Sequence, residues 1–129
     1  MGHTIKPGLT GRLKITVKKE YTAAHYGSGL LDVLATPAMI GFMEKTAHES
    51  VQSFLEDGYI TLGTSVNIKH IKATPLNEQV FFETVVTLVE GNKITFEVIA
   101  HDEHGKIGVG THKRAVVHAE TFTKTINNA

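Results

Sequence analysis

Thr36-Pro-Ala-Met-Ile-Gly-Phe-Met-Glu-Lys-Thr-Ala-His-Glu-Ser-Val-Gln-Ser-Phe-Leu-Glu56 is the stretch of this chain with sustained helical spacing. At about 100° per residue, Ile40, Met43, Ala47, Val51, Phe54 and Leu55 fall within one apolar stripe, as a helix lying on a core requires. Thr36 is placed to cap the N-terminus, and Pro37 follows at the first helical position, where a missing N–H costs nothing. Gly58 ends the helix.

The residues on either side read as strands. From Arg12 to Glu20 the apolar Leu13, Ile15 and Val17 alternate with polar neighbours, the pattern of a half-buried strand. Tyr26-Gly-Ser-Gly29 is a loop signal, and Leu30 to Ala35 is an irregular or short helical lead-in. After the helix, Thr61 to Ala73, Glu78 to Glu90, Asn92 to Asp102 and Lys106 to Glu120 each alternate or carry β-branched residues. Pro75-Leu-Asn77, Glu90-Gly-Asn92 and Glu103-His-Gly105 separate them and predict successive hairpins. Gly108 and Gly110 in the last strand predict a bulge or a close backbone approach. One strand, one long helix and four further strands make an α+β layout, a central helix packed on a five-stranded antiparallel sheet.

Composition narrows the function. The 129 residues are expected to form one domain, 1–129, with its core at about 12–122. Thirteen basic residues balance thirteen acidic ones, which argues against nucleic acid as a partner. No cysteine is present, so disulfides, thiol nucleophiles and Cys-ligated zinc are excluded. The start, Met-Gly-His-Thr-Ile-Lys-Pro-Gly, has no apolar segment and Lys6 stands where a myristoylation signal needs Ser or Thr. No membrane and a cytoplasmic location are the expectation.

The chemistry is suggested by polar residues among apolar ones. Glu44 falls inside the helical stripe, one turn after Ile40, and Thr36 lies two turns earlier on the same side. A carboxylate turned toward a sheet must be paired, solvated or protonated. It either sits at the stripe's margin, or pairs with an Arg or Lys, or does chemistry. His70 shares strand parity with the apolar Val66 and Ile68, so it is expected to face the helix. Singly, such a His is an ordinary core residue and such a Thr an ordinary cap. Together, Thr36, Glu44 and His70 offer a nucleophile, an orienting acid and a base, the parts acyl transfer needs.

Three segments then resemble one known family. Val33-Leu-Ala-Thr-Pro-Ala-Met-Ile-Gly-Phe-Met-Glu44 is similar to the central-helix motif of the fluoroacetyl-CoA thioesterase-like branch of hotdog-fold proteins. Leu62-Gly-Thr-Ser-Val-Asn-Ile-Lys-His70-Ile-Lys-Ala-Thr-Pro75 is similar to the strand that follows it. Ala100-His-Asp102 and Gly108-Val-Gly-Thr-His-Lys-Arg-Ala-Val-Val-His118 complete the resemblance, which spans roughly residues 15 to 122. It implies a hotdog homodimer, or a tetramer of such dimers, that hydrolyses an acyl-CoA thioester without cofactor or metal. It also implies catalytic roles for Thr36, Glu44 and His70, a backbone contact to the thioester at Gly63 and a place near the site for Arg114. Met39, Ile40 and Met43 are expected to line an apolar acyl pocket with Leu30 and Leu31. The fluoroacetyl-specific member has a longer segment with two phenylalanines before the helix. Here Gly27-Ser-Gly-Leu-Leu-Asp32 is shorter and has no Phe, which implies a different small or medium acyl group.

Roles stay open at this level. His70 is the expected proton carrier, Glu44 either attacks or activates, and Thr36 either attacks or positions. Arg114, with the parity of His112 and Val116, either meets a CoA phosphate or braces a carboxylate; Lys69, Lys72 and Lys113 are further phosphate candidates. The other readings are a non-catalytic acyl-CoA sensor, a hotdog enoyl-CoA hydratase and a metal hydrolase using His101 and His104. A hydratase would carry Asp and His near the helix start, where this chain has Thr36 and Pro37. His101-Asp-Glu-His104 runs into a hairpin turn and not along one rigid face.

Overall fold

The computed structural model of the chain describes residues 2–128. Met1 and Ala129, the ends of the expected domain 1–129, lie outside the described residues. Strand β1 covers Thr10–Thr16, and a short helix α1 covers Ala23–Tyr26. Helix α2, Thr36–Gln52, precedes strands β2 (Tyr59–His70), β3 (Gln79–Glu90), β4 (Lys93–Asp102) and β5 (Gly105–His118), and helix α3 (Ala119–Asn127) closes the chain. The five strands form one antiparallel sheet in the order β1-β3-β4-β5-β2, with α2 packed on one face: the α+β hotdog arrangement. Among the described residues no helix is long and apolar enough to cross a membrane.

The core lies between α2 and the sheet. Met39, Met43, Ala47 and Val51 are sealed against Val80, Phe82, Ile94, Phe96 and Val98. The buried stripe is centred one position from the expected one, so Ile40 and Phe54 lie at its margin, and Glu44 lies there with Ile40. Phe42 anchors the helix laterally, edge-on to Tyr21 at 4.9 Å between ring centroids and tilted against Phe82 at 5.7 Å.

Four expectations change. β1 stops at Thr16, although Val17 continues its alternation into the core, and Lys19–Tyr21 forms a 3-10 turn instead. α2 ends at Gln52, four residues short of Glu56, and Gly58 makes a later turn at φ +86°. Glu120 belongs not to β5 but to α3, whose nine residues alternate too briefly to stand out from a strand end. Last, Pro75-Leu-Asn77 does not close a hairpin: β2 pairs with β5, while β3 lies between β1 and β4. A turn residue such as Asn77, at φ +73°, shows that the chain changes direction but not which strand it will meet.

Candidate active site

The first turn of α2 and the end of β2 meet. Thr36 is the first residue of the helix and Ala35 its cap, with extended backbone and no side-chain capping bond. The Thr36 hydroxyl, freed from the capping role expected of it, is hydrogen-bonded to His70 Nδ1 at 2.8 Å. Backbone ties hold the two segments together. The Leu34 N–H donates to the Thr74 carbonyl at 2.8 Å, and the Ala35 N–H donates to the Tyr21 carbonyl at 2.8 Å. Thr74 is held in turn by its hydroxyl, which donates to Asp102 Oδ2 at 2.9 Å. Thr36 and His70 line an open cavity of ≈ 310 Å³ together with Ala23, Ser28, Val33 and Lys72. His70 Nε2 is shielded from solvent and has no hydrogen-bond partner among the described residues. Burial holds the His70 imidazole below its ordinary pKa, opposed only in part by the Lys72 backbone. The ring is therefore a neutral base at pH 7.

A second cluster lies along the same groove between α2 and β2. A Cβ built on Gly63 would stand 2.6 Å from Glu44 Oε2, 3.2 Å from His112 Cε1 and 3.4 Å from Arg114 Nη1. An added carbon there would displace the Glu44 carboxylate, because the Gly63 backbone runs directly beside it. Arg114 Nη1 faces Glu44 Oε2 across 4.0 Å, with the guanidinium side chain 8 % and the carboxylate side chain 40 % exposed. Three bonds fix the guanidinium: Nε–H donates to Thr61 Oγ1 (2.8 Å), Nη2 to the Thr61 carbonyl (3.0 Å) and Nη1 to His112 Nε2 (3.1 Å). Burial lowers the Arg114 pKa and Glu44 opposes it. Of the two readings offered for Arg114, this placement matches the brace on a carboxylate.

One local irregularity puts both clusters on the helix face. With a strict two-residue period, Gly63 and His70 would point to opposite sides of the sheet. The register shifts between Gly63 and Ser65, opposite Arg114 and Lys113, so that Thr64 is an extra residue. Beyond it Val66, Ile68 and His70 lie opposite His112, Gly110 and Gly108.

Within one chain, then, Thr36 joins His70, and Glu44 joins Gly63 and Arg114. The two pairs do not coincide. Thr36 and Glu44 are eight residues apart on α2, about 12 Å along its axis at 1.5 Å per residue. The acyl pocket expected of Met39, Ile40 and Met43 needs correction. Met39 and Met43 are completely enclosed, filling the space over Gly108, because the stripe's centre passes through them. Only Ile40 reaches the groove side. Leu30 and Leu31 are 97 % and 69 % exposed on the single chain. His101 stacks on Phe81, with centroids 5.6 Å apart, and His104 faces Glu78 at 3.5 Å. The residue that sequence reasoning passed over is His112; its shared parity with Arg114 was the available signal.

Comparison with known proteins shows what the chain is similar to. A family model described as fluoroacetyl-CoA-specific thioesterase matches residues 17–120. The fluoroacetyl-CoA thioesterase of Streptantibioticus cattleyicolor is 35 % identical over 111 residues, covering 86 % of this chain and 80 % of that protein. A crystal structure of a fluoroacetyl-CoA thioesterase superposes with a TM-score of 0.90 at 31 % identity, covering 97 % of each chain. A phenylalanine-to-alanine mutant of such an enzyme, in complex with fluoroacetate and CoA, superposes at 0.86 with 33 % identity, covering 92 % of this chain and 99 % of that one. A thioesterase superfamily member from Thermus thermophilus shares the fold at a TM-score of 0.89, with 24 % identity over 97 % of this chain and 93 % of its own.

Proposed function

Since the chain belongs to the fluoroacetyl-CoA-specific thioesterase family and is a thioesterase homologue of the hydrolase class, we propose that it hydrolyses a small acyl-CoA to the free acid and CoA, as a homodimer of one-domain chains whose sites are each built from two subunits. The observation that carries the chemistry is the 2.8 Å contact between Thr36 Oγ1 and His70 Nδ1. It couples a hydroxyl to a half-buried neutral base at the mouth of a cavity, which is how a proton carrier is held in position.

The dimer follows from the two half-sites. β2 is an edge strand, with Leu62 36 % and Val66 43 % exposed beside its unpaired backbone. Antiparallel pairing of two β2 edges about an axis between Val66 and Asn67 sets Gly63 opposite the partner's His70. The Glu44–Gly63 half of one chain then meets the Thr36–His70 half of the other, and the gap of about 12 Å within each chain, eight residues of helical rise, is bridged between chains.

In this arrangement the Gly63 N–H receives the developing oxyanion, because glycine lets the backbone approach the carbonyl. Glu44 supplies or activates the attacking oxygen. On the water route His70, oriented by Thr36, takes a proton from the attacking water and returns it to the departing CoA thiolate as the C–S bond breaks. On the anhydride route the Glu44 carboxylate attacks without a proton to lose and the CoA thiolate leaves. His70 then takes the proton of the water that opens the anhydride. In a single turnover in heavy-oxygen water, label in the Glu44 carboxylate marks an acyl-anhydride route. Label confined to the released acid fits both direct attack by water and an anhydride opened at the substrate's acyl carbon, which trapping of the acyl-enzyme separates. Without the two phenylalanines of the fluoroacetyl-specific enzyme, the acyl group is a small one other than fluoroacetyl.

A subunit-mixing experiment tests the shared site. Thr36→Ala and Glu44→Gln are each purified, mixed, unfolded and refolded, and assayed for thiol release from a panel of acyl-CoAs. Shared sites give every mixed dimer one intact centre, so about a quarter of parental activity returns, half the dimers being mixed with one working site of two. Sites contained within single chains return none. An acyl-CoA that binds without release of free CoA from the parent points instead to a sensor.

A further inference from the structure

His112 is 1 % exposed in the middle of β5, and none of the proton transfers above uses it. Its surroundings specify its state. Arginine only donates, so His112 Nε2 must accept the 3.1 Å bond from Arg114 Nη1. The neutral ring's proton therefore sits on Nδ1, which donates to the Ser65 carbonyl at 2.8 Å. Ser65 is the first residue after the extra residue in β2, so one ring is tied both to the bulge that turns Gly63 and to the guanidinium that faces Glu44. Phe96 stacks on the same ring at 6.0 Å between centroids and closes it from solvent.

We infer that His112 is a positioning residue for the thioesterase reaction, a neutral acceptor that holds Arg114 beneath Glu44 and holds the Ser65 end of the Gly63 bulge. It touches no reacting atom. Its effect reaches the chemistry through two neighbours, the carboxylate and the glycine backbone, both of which must be placed to a fraction of an ångström. A cationic or apolar residue at this position would leave Arg114 Nη1 without an acceptor on that side of a nearly enclosed guanidinium. The guanidinium would swing toward Glu44 or away from it, and the Gly63 N–H would lose its support. The inference rests on the proposed thioesterase reading.

The test compares three variants on whichever acyl-CoA the parent turns over fastest. His112→Leu removes both polar contacts; His112→Gln can accept from Arg114 through its carbonyl and donate to Ser65 through its amide; His112→Asn has the same groups on a shorter stem. The expected result is a ~10-fold or larger loss of kcat for Leu with KM little changed, a loss largely rescued by Gln but not by Asn. In an Arg114→Gln background, His112→Leu is expected to cost less than in the parent, since the guanidinium it places is gone and only the Ser65 contact remains to be lost. If His112→Leu fails to fold, the Gln and Asn pair decides: equal kcat for the two overturns the inference. So does a folded His112→Leu protein with parental kcat. Glu44→Gln run in parallel separates the layers. If Glu44→Gln is inactive while every His112 variant keeps its rate, only the positioning role falls; if Glu44→Gln turns over normally, the proposed reaction falls first.

Discussion

The imidazole of His70 carries the proton bookkeeping, and its environment determines at which pH it works. Burial disfavours its charged form. The acid limb of kcat/KM against pH is therefore expected to lie below the ordinary imidazole value of about 6.5, with activity held through neutrality and lost as pH falls through the lowered value. A limb above that value would contradict the assignment of His70 as base. Glu44→Gln keeps the shape of the side chain and removes the acid, and its kcat/KM is expected to drop at least ~10²-fold with the melting temperature unchanged. Glu44 and His70 stood out in the sequence because each breaks an apolar pattern. What the pattern could not tell was that Glu44 sits at the margin of its stripe, since a period of 3.6 residues does not say which apolar positions lie deepest. Thr36 was legible as a helix start, but its hydroxyl turned out to serve His70 while Ala35 takes the cap position.

Strand β2 is the element that organises the groove, and two glycines opposite or within it should respond differently to a methyl group. On Gly63 the added carbon would enter the space of the Glu44 carboxylate, the far end of a flexible side chain. Gly63→Ala is expected to fold normally and to lose activity. On Gly110 the added carbon would collide with the backbone of Asn67 and Ile68 across the β2–β5 pair. Gly110→Ala is expected to destabilise by about 1–3 kcal/mol, the usual cost of overpacking where the backbone must move. Parallel urea melts and thiol-release assays separate the two; a Gly110→Ala protein as stable as the parent would mean that the strands are not so closely joined. Gly110 was visible as an irregularity in a strand-like run and Gly63 through the family resemblance, but not the bulge at Thr64. An extra residue leaves no mark on local propensity; it shows only when the partner strand is known and Gly63 must face Glu44 in the same register that brings His70 round to Thr36.

Stability of the protein as a whole should carry the signature of its buried imidazoles. Burial lowers the pKa of both His70 and His112 in the folded chain, for His112 with Arg114 adding to it and the Ser65 carbonyl and Glu44 opposing. The unfolded chain, with both rings near 6.5, therefore binds more protons than the folded one just below that pH. The stability that depends on these neutral rings is complete above about 6.5, declines as pH falls from there toward the lowered folded values, and levels off beneath them. Thermal melts at pH 7.5 and 5.5 are expected to show the decline, and His112→Gln should make it shallower. Melting points that do not change across this interval would mean that the rings are not held neutral by the fold.

Local order in this chain can be read from its residues. The apolar spacing of α2, the alternation in the strands and the glycine and proline punctuation each express physics within a few neighbouring positions, and so the α+β layout and the inward acid and imidazole were legible. The two hairpin neighbours, β3 beside β4 and β4 beside β5, were legible as well; the places of β1 and β2 were not. β2 pairs with β5, whose partner residues lie 38 (His70–Gly108) to 59 (Tyr59–His118) positions further along, and β3 slips between β1 and β4. Those choices come from packing across the whole core, and from them follow the bulge, the His112–Arg114 support and the separation of Thr36–His70 from Glu44–Gly63 along a free strand edge. Neighbouring side chains impose a period. Only distant ones impose a register.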